Sequence, residues 1–230
     1  MFAQAFQSGL VSLLYSVGPR PLQLCEKREK REERPGAVRR VLDEDIQSSV
    51  VELDGDNLCN TWLRFPPEAT DGPDSKVLHL RLPIVVFQLK NLGRHVSLEV
   101  QVEDARGQRR RFRASTFQKN AVVHEAITTL PLHLDPGWNR VQLDLAALTA
   151  AAYNAQFVHA CSVQLHSSCR VRRIFFADRG SAGADANLPI EFRLFHRLSK
   201  PQIASLRLAQ RRQEQQRQQE RQEEICAEES

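Results

Sequence analysis

Between residues 50 and 195 the sequence consists of short runs that alternate apolar and polar side chains and end at turn-forming residues. The run at 95–102 places four apolar side chains on one side, at the period of two that is typical of a strand. The turn at 104–107 leads directly into another alternating run, which favours a hairpin. A series of short strands with regularly spaced turns predicts a two-sheet β-sandwich or jelly roll rather than alternating strands and helices.

The fold class that we predict is all-β: a single antiparallel β-sandwich or jelly roll, with one short internal helix and a C-terminal helical tail. The sandwich domain covers residues 1–200, and its residues 1–24 fit either a short amphipathic helix or a buried N-terminal arm. The alanine-rich segment 145–153 predicts the internal helix, and residues 201–230, rich in Gln, Glu and Arg, predict the tail. Strands are predicted near 50–53, 62–65, 77–87, 95–102, 109–113, 127–134, 138–143, 157–165, 171–176 and 190–195.

The cysteines and the apolar runs indicate a protein of a reducing compartment that does not enter the membrane. The five cysteines are an odd, widely spaced set without a Cys-x-x-Cys pair, which argues against a disulfide scaffold. No run approaches the ~20 apolar residues that a membrane span requires. The net charge of +4 is modest, so any basic surface must be local.

Two segments, 109–113 and 170–176, interleave arginines with aromatic and branched residues. At a period of two, Arg109, Arg111 and Arg113 lie on one face and Phe112 on the other, while Arg170 and Arg172 lie opposite Val171 and Phe175. Such rows predict a rigid basic surface for an acidic partner protein. Arginines that coat a solvent-facing sheet, and a nucleic-acid site, remain alternatives.

The sequence contains no nucleophile elbow, phosphate-binding glycine loop, zinc-protease helix or dinucleotide fingerprint, so we predict no catalysis and no cofactor. Four zinc-compatible residues lie within the eleven positions 159–169. Strand alternation places His159 and Cys161 on the side of Val163 and His166 on the opposite side, whereas zinc needs ligands that converge on one centre. We therefore predict no metal site at these four residues: His159, Cys161, His166 and Cys169.

Several blocks resemble the cilia- and flagella-associated protein 20 family, also called Bug22-like proteins. They include Arg-Arg-Arg-Phe-Arg-Ala-Ser at 109–115, Leu-Asp-Pro-Gly-Trp-Asn at 134–139 and Leu-Pro-Ile-Glu-Phe at 188–192, and they follow the family order across residues 1–195. The chain departs from the family at Ala-Ala-Ala-Tyr (150–153), where members tend to carry arginines, and in its tail, which indicates a divergent member or a paralogue.

The resemblance implies a non-catalytic structural protein of the axoneme of cilia and flagella, with the basal body as an alternative location. Family members help to join the B-tubule to the A-tubule at the inner junction of doublet microtubules. The implied partners are tubulin, which is acidic, and a neighbour like the parkin co-regulated protein. A nucleic-acid- or carbohydrate-binding jelly roll is the rival interpretation. The residues that we expect to contact partners are Arg109, Arg111, Arg113, Arg170, Arg172, Tyr15, Asp178 and Arg179.

Overall fold

The computed structural model describes residues 1–29, 37–68, 76–181 and 188–194, which form two β-sheets packed face to face. Residues Met1–Leu194 belong to one compact unit. The tail predicted at 201–230 lies outside the described residues. Within the described ranges, the structure contains no helix that is long and apolar enough to cross a bilayer.

Sheet A has six strands: β1 (Leu10–Tyr15), β3 (Ala37–Asp43), β4 (Ser48–Asp54), β6 (Ile84–Asn91), β11 (Gly137–Asp144) and β13 (Cys169–Ala177). Their order is β11-β6-β13-β4-β3, and β1 pairs antiparallel with β13. The N-terminal arm is therefore extended and hydrogen-bonded into a sheet. The helical alternative for this arm is wrong.

Sheet B has seven strands: β2 (Glu26–Glu29), β5 (Thr61–Phe65), β7 (Ser97–Asp104), β8 (Arg109–Ser115), β9 (Val122–Val123), β10 (Ile127–Pro131) and β12 (Phe157–His166). Their order is β2-β5-β12-β7-β8-β10-β9. The predicted hairpin is present as the antiparallel pair β7–β8. One pairing departs from the expected antiparallel pattern, because β8 and β10 run parallel.

The core lies between the two sheets, and its composition confirms the alternation read from the sequence. Leu98, Val100 and Val102 of β7 are completely buried, as is Phe112 of β8. Each such side chain contributes about 1.5–3 kcal/mol by leaving water. The all-β sandwich is thus confirmed.

The internal helix α1 spans Leu145–Tyr153, as predicted. Asp144 caps its N-terminus, because its carboxylate accepts a hydrogen bond from the Ala147 amide at 2.9 Å. Asn154 adopts the left-handed conformation, with φ of 47°, and its amide donates to the Ala150 carbonyl. Local sequence therefore defines both ends of this helix.

The strand predicted at 190–195 is wrong over its described part, because Ile190–Phe192 form a short 3-10 turn. Leu188, which precedes this turn, and Phe192 within it pack with Phe175 in a second, smaller apolar cluster. Ile190 between them is exposed. The apolar spacing thus reflects a turn that covers part of sheet A.

β-bulges in β12 and β13 change which side chains face the core. The pairing of β12 shifts between Ala160 and Ser162, and that of β13 shifts between Val171 and Arg173. Beyond the second bulge the parity reverses, so Val171 lies in the main core whereas Phe175 lies in the smaller cluster. The prediction that Val171 and Phe175 share one face is therefore wrong.

Candidate partner-binding face

Three of the four arginines of β8 project from the outer side of sheet B, as their alternation with Phe112 predicts. Arg109 and Arg111 are exposed, and Arg113 is half-buried. We call these three residues, Arg109, Arg111 and Arg113, the arginine row. The β7–β8 hairpin holds the row on a rigid two-stranded support, with residues 97–103 paired to 109–115.

A second row of side chains on β7 faces the arginines. In the hairpin register Glu99 lies opposite Arg113, and Glu103 lies opposite Arg109. These glutamates occupy the positions between the core residues of β7. The alternation of β7 and the predicted hairpin were therefore enough to place Glu99 and Glu103 beside the arginines, although we did not predict these glutamates as part of the site.

Glu99 is the centre of this arrangement. Its Oε1 lies 2.8 Å from Arg113 Nη2 and 3.4 Å from His166 Nε2, and its Oε2 lies 3.6 Å from Arg111 Nε. Burial alone would raise the pKa of Glu99, but His166 and the two guanidinium groups outweigh it and lower the pKa. Glu99 therefore stays ionised and orients Arg111 and Arg113, while Arg109 lies opposite Glu103.

Beside the arginine row the surface forms a polar hollow of about 390 Å³. Three cationic side chains border it, from Arg64, Lys76 and Arg109. Glu68 also lines the hollow and forms an ion pair with Arg64. The hollow is therefore suited to an acidic side chain more than to an apolar one.

Arg170, from the second arginine segment, belongs to an ion network on sheet A. Its Nη1 donates to Asp43 at 2.8 Å and its Nε donates to Glu52 at 2.7 Å. Both carboxylates are buried, and Arg39 also donates to Glu52. Arg170 is thus committed to neutralising buried charge within its own sheet.

Arg172 and Tyr15 lie together on sheet A, on neighbouring strands. The guanidinium carbon of Arg172 is 5.0 Å from the centre of the Tyr15 ring, and its Nη1 donates to Ser16 Oγ at 3.3 Å. Arg173, which the sequence had not indicated, stacks still closer, at 3.8 Å from the same ring. Burial lowers the pKa of Arg173.

Asp178 and Arg179 follow β13 and have separate roles. The carboxylate of Asp178 accepts hydrogen bonds from the Ser181 amide at 2.7 Å and the Gly9 amide at 3.0 Å. These bonds, with Ser181 the main contributor, lower its pKa. Arg179 is 66% exposed and lies 3.5 Å from Asp144. Asp178 therefore fixes the start of β1.

The structure divides the eight predicted contact residues between the two sheets and their ends. It brings the arginine row together on sheet B, while Arg170, Arg172 and Tyr15 lie on sheet A. Because the set does not form one patch, we take the arginine row as the candidate partner-binding face.

The four zinc-compatible residues of the sequence do not converge on one centre. Cys169 is buried in the main core, and His166 Nδ1 lies 2.8 Å from the Leu58 carbonyl oxygen. His159 and Cys161 lie elsewhere, beside Glu103. The expectation that His159 and Cys161 share the side of Val163 is wrong, because the bulge in β12 intervenes.

Comparison with known proteins gives a single family. Residues 1–196 match the model of the CFA20 domain. Proteins named cilia- and flagella-associated protein 20 are similar to this chain. The Chlamydomonas reinhardtii protein is 42% identical over 200 residues, which cover 87% of this chain and 100% of that protein. The Paramecium tetraurelia protein is 40% identical over 200 residues, covering 87% and 99%. The Caenorhabditis elegans protein is 40% identical over 195 residues, covering 85% of this chain and 91% of that protein.

The names of these relatives describe no enzymatic activity. With this match over most of its length, the chain belongs to the CFA20 domain family.

Proposed function

We propose that this protein is a non-catalytic structural component of the axoneme of cilia and flagella. The curated relatives are named for cilia and flagella, which supports this location. The two-sheet sandwich with a polar, ion-paired outer face suits a rigid linker. Within this role, we place the protein at the inner junction, where the B-tubule meets the A-tubule, with tubulin and a parkin co-regulated protein-like neighbour as partners.

The observation that carries the tubulin part of the proposal is the arginine row beside the basic hollow. Arg109 and Arg111 are exposed on a stiff hairpin, and Arg64 and Lys76 extend positive charge toward β5. Rows of guanidinium groups bind carboxylates in bidentate geometry. Glu99 and Glu103 offset part of this charge, so each single contact is modest, and repeated copies along a lattice add avidity.

A nucleic-acid site is the competing interpretation, because phosphates bind cationic faces and single-stranded nucleic acids also stack on aromatic rings. Phe112 of β8 is completely buried on the opposite side of the sheet, but Trp62 of β5 lines a hollow together with Arg111 and Arg113. Because the relatives are named for cilia and flagella, tubulin is the partner class that we favour, and RNA or DNA binding is a competing outcome of the test.

The test is co-sedimentation of the purified protein with microtubules, using Arg109→Glu and Arg111→Glu against Arg40→Glu as a matched control. Arg40 is exposed on β3 of sheet A, so its reversal makes the same charge change on the other sheet. We expect each row variant to bind at least about tenfold more weakly, since like charges at an interface cost more than about 1.4 kcal/mol. The Arg40 variant should bind like the wild type.

Two results would contradict the proposal. One is equal microtubule binding by folded row variants and the control. The other is binding to RNA or DNA, but not to microtubules, that falls steeply with added salt. Imaging of isolated axonemes at side-chain resolution, with and without the protein, tests the inner-junction position separately.

A further inference from the structure

Three potential metal ligands lie together on the outer side of sheet B. His159 of β12 pairs directly with Glu103 of β7, and Glu103 belongs to the outward-facing set of its strand. The bulge between Ala160 and Ser162 then brings Cys161 to the same place. One ligand atom each from Glu103, His159 and Cys161 lies within 4.8 Å of the others.

Burial makes this cluster different from a chance group of surface side chains. His159 is only 9% exposed and Cys161 only 1%. The Nε2 atom of His159 is buried and has no hydrogen-bond partner. Leaving a buried polar atom without a partner is energetically costly, and a bound ion is one of the partners that remove this cost.

A second imidazole stands beside the first. The ring centres of His79 and His159 are 4.8 Å apart. The segment that carries His79 is fixed against β12, because the Leu78 amide donates to the Cys161 carbonyl at 2.8 Å and the Ala160 amide donates to the Leu80 carbonyl at 2.7 Å. The backbone on both sides of His79 is therefore fixed beside the cluster.

Thiolate, imidazole and carboxylate together are a donor set that Zn²⁺ prefers. Around a tetrahedral zinc, ligand atoms lie roughly 3.3–3.8 Å apart, so the cluster needs to contract by about 1 Å. Arg109, opposite Glu103 on the hairpin, and Arg81 are cations near His159, and Arg64 and Lys76 border the hollow that Cys161 lines. In the occupied site the Glu103 carboxylate and the Cys161 thiolate balance the two charges of the metal, and binding releases the thiol proton of Cys161.

We propose that Glu103, His159 and Cys161 form a Zn²⁺-binding site, with His79 placed to supply the fourth ligand. Cys161 and Arg109 both line the 390 Å³ hollow, which gives the metal a path from solvent. The site does not depend on the proposed function, because it requires no partner.

The experiment is equilibrium dialysis of the purified full chain against Zn²⁺, with bound metal measured by mass spectrometry, followed by Co²⁺ substitution. We expect one tightly bound metal per chain and a thiolate-to-cobalt charge-transfer absorption. Cys161→Ser and His159→Gln should weaken binding by more than about tenfold, because even loss of an outer-shell partner costs 10–100-fold. Cys59→Ser is the matched control, since Cys59 is an exposed thiol elsewhere on the surface.

Glu103→Gln is the second variant, used in case Cys161→Ser does not fold. Residue 103 is only half-buried and the change preserves the shape of its side chain, so we expect this variant to fold. It should also weaken Zn²⁺ binding while leaving the circular dichroism spectrum unchanged. The proposal is overturned if the wild type binds no Zn²⁺, if a folded Glu103→Gln chain binds as tightly as the wild type, or if the cobalt absorption survives in Cys161→Ser but disappears in Cys59→Ser.

Discussion

Asp43 is the buried carboxylate at the end of β3, and Asp43→Asn is the substitution with the most clearly calculable consequence. Its Oδ2 accepts hydrogen bonds from Arg170 at 2.8 Å and Lys90 at 2.9 Å, and its Oδ1 accepts one from Trp138 Nε1 at 3.0 Å. Asparagine has nearly the same shape but carries no charge. The variant therefore leaves two cations beside a neutral amide.

The expected loss follows from the pKa of Asp43. Burial alone would raise it, but the hydrogen bonds from Arg170, Lys90 and Trp138 outweigh that effect and lower the pKa to about 2, from an ordinary 3.8. This difference corresponds to about 2.5 kcal/mol of folding free energy at neutral pH. Because the folded-state pKa is the lower one, this contribution is complete well above pH 4 and disappears as the pH falls through 2. About half of it remains at pH 3.

The assay is urea unfolding of the wild type and Asp43→Asn at several pH values between 7 and 2.5. We expect a gap of about 2.5 kcal/mol at pH 7 that narrows as the pH falls, since protonated Asp43 is neutral like asparagine. Asp45→Asn is the matched control. Asp45 also pairs with Lys90, at 2.7 Å, but it is half-exposed, so its loss should cost less than about 1 kcal/mol. A gap that is independent of pH, or no larger than that of the control, would refute the reasoning.

Two further substitutions test assignments made from the structure. Arg170→Met should destabilise the fold by about 3 kcal/mol, because it removes one cationic partner from each of the buried carboxylates Asp43 and Glu52, whereas Arg111→Met should cost less than about 0.5 kcal/mol. Equal unfolding midpoints in urea would contradict this division of the arginines. Phe175→Ala should lower the free energy of unfolding by about 3–5 kcal/mol in thermal unfolding, because Phe175 is completely buried in the smaller cluster. Phe6, which is 91% exposed, should tolerate the same change. A small effect at Phe175 would show that the cluster contributes little to stability.

The bulges explain where reading the strands from sequence succeeded and where it failed. The two-residue periodicity of a strand assigned Phe112 and Arg111 to the correct faces, because β7 and β8 pair without interruption. The same periodicity assigned Phe175 and Cys161 to the wrong faces, because Phe175 lies beyond the bulge in β13 and Cys161 lies within the bulge in β12. An extra residue in one strand reverses every later face, and a local pattern does not reveal it.

The ion network of Arg170 shows a second limit. Its partners Asp43 and Glu52 are 127 and 118 positions away in the sequence, on β3 and β4. Alternation indicated that Arg170 faces away from the core, and it does. Whether an outward arginine meets solvent or a buried carboxylate depends on which strands become neighbours.

The sequence by itself determined the all-β class, the helix at Leu145–Tyr153, the hairpin that presents the arginine row and the family, because these depend on local periodicity, capping and long strings of residues. Only the tertiary structure decided that β1 is a strand, that Arg170 is internally paired, and that Glu103, His159 and Cys161 meet. Each of these results from strand pairing between distant segments, in which hydrogen-bond register and bulges, rather than local preference, fix the contacts.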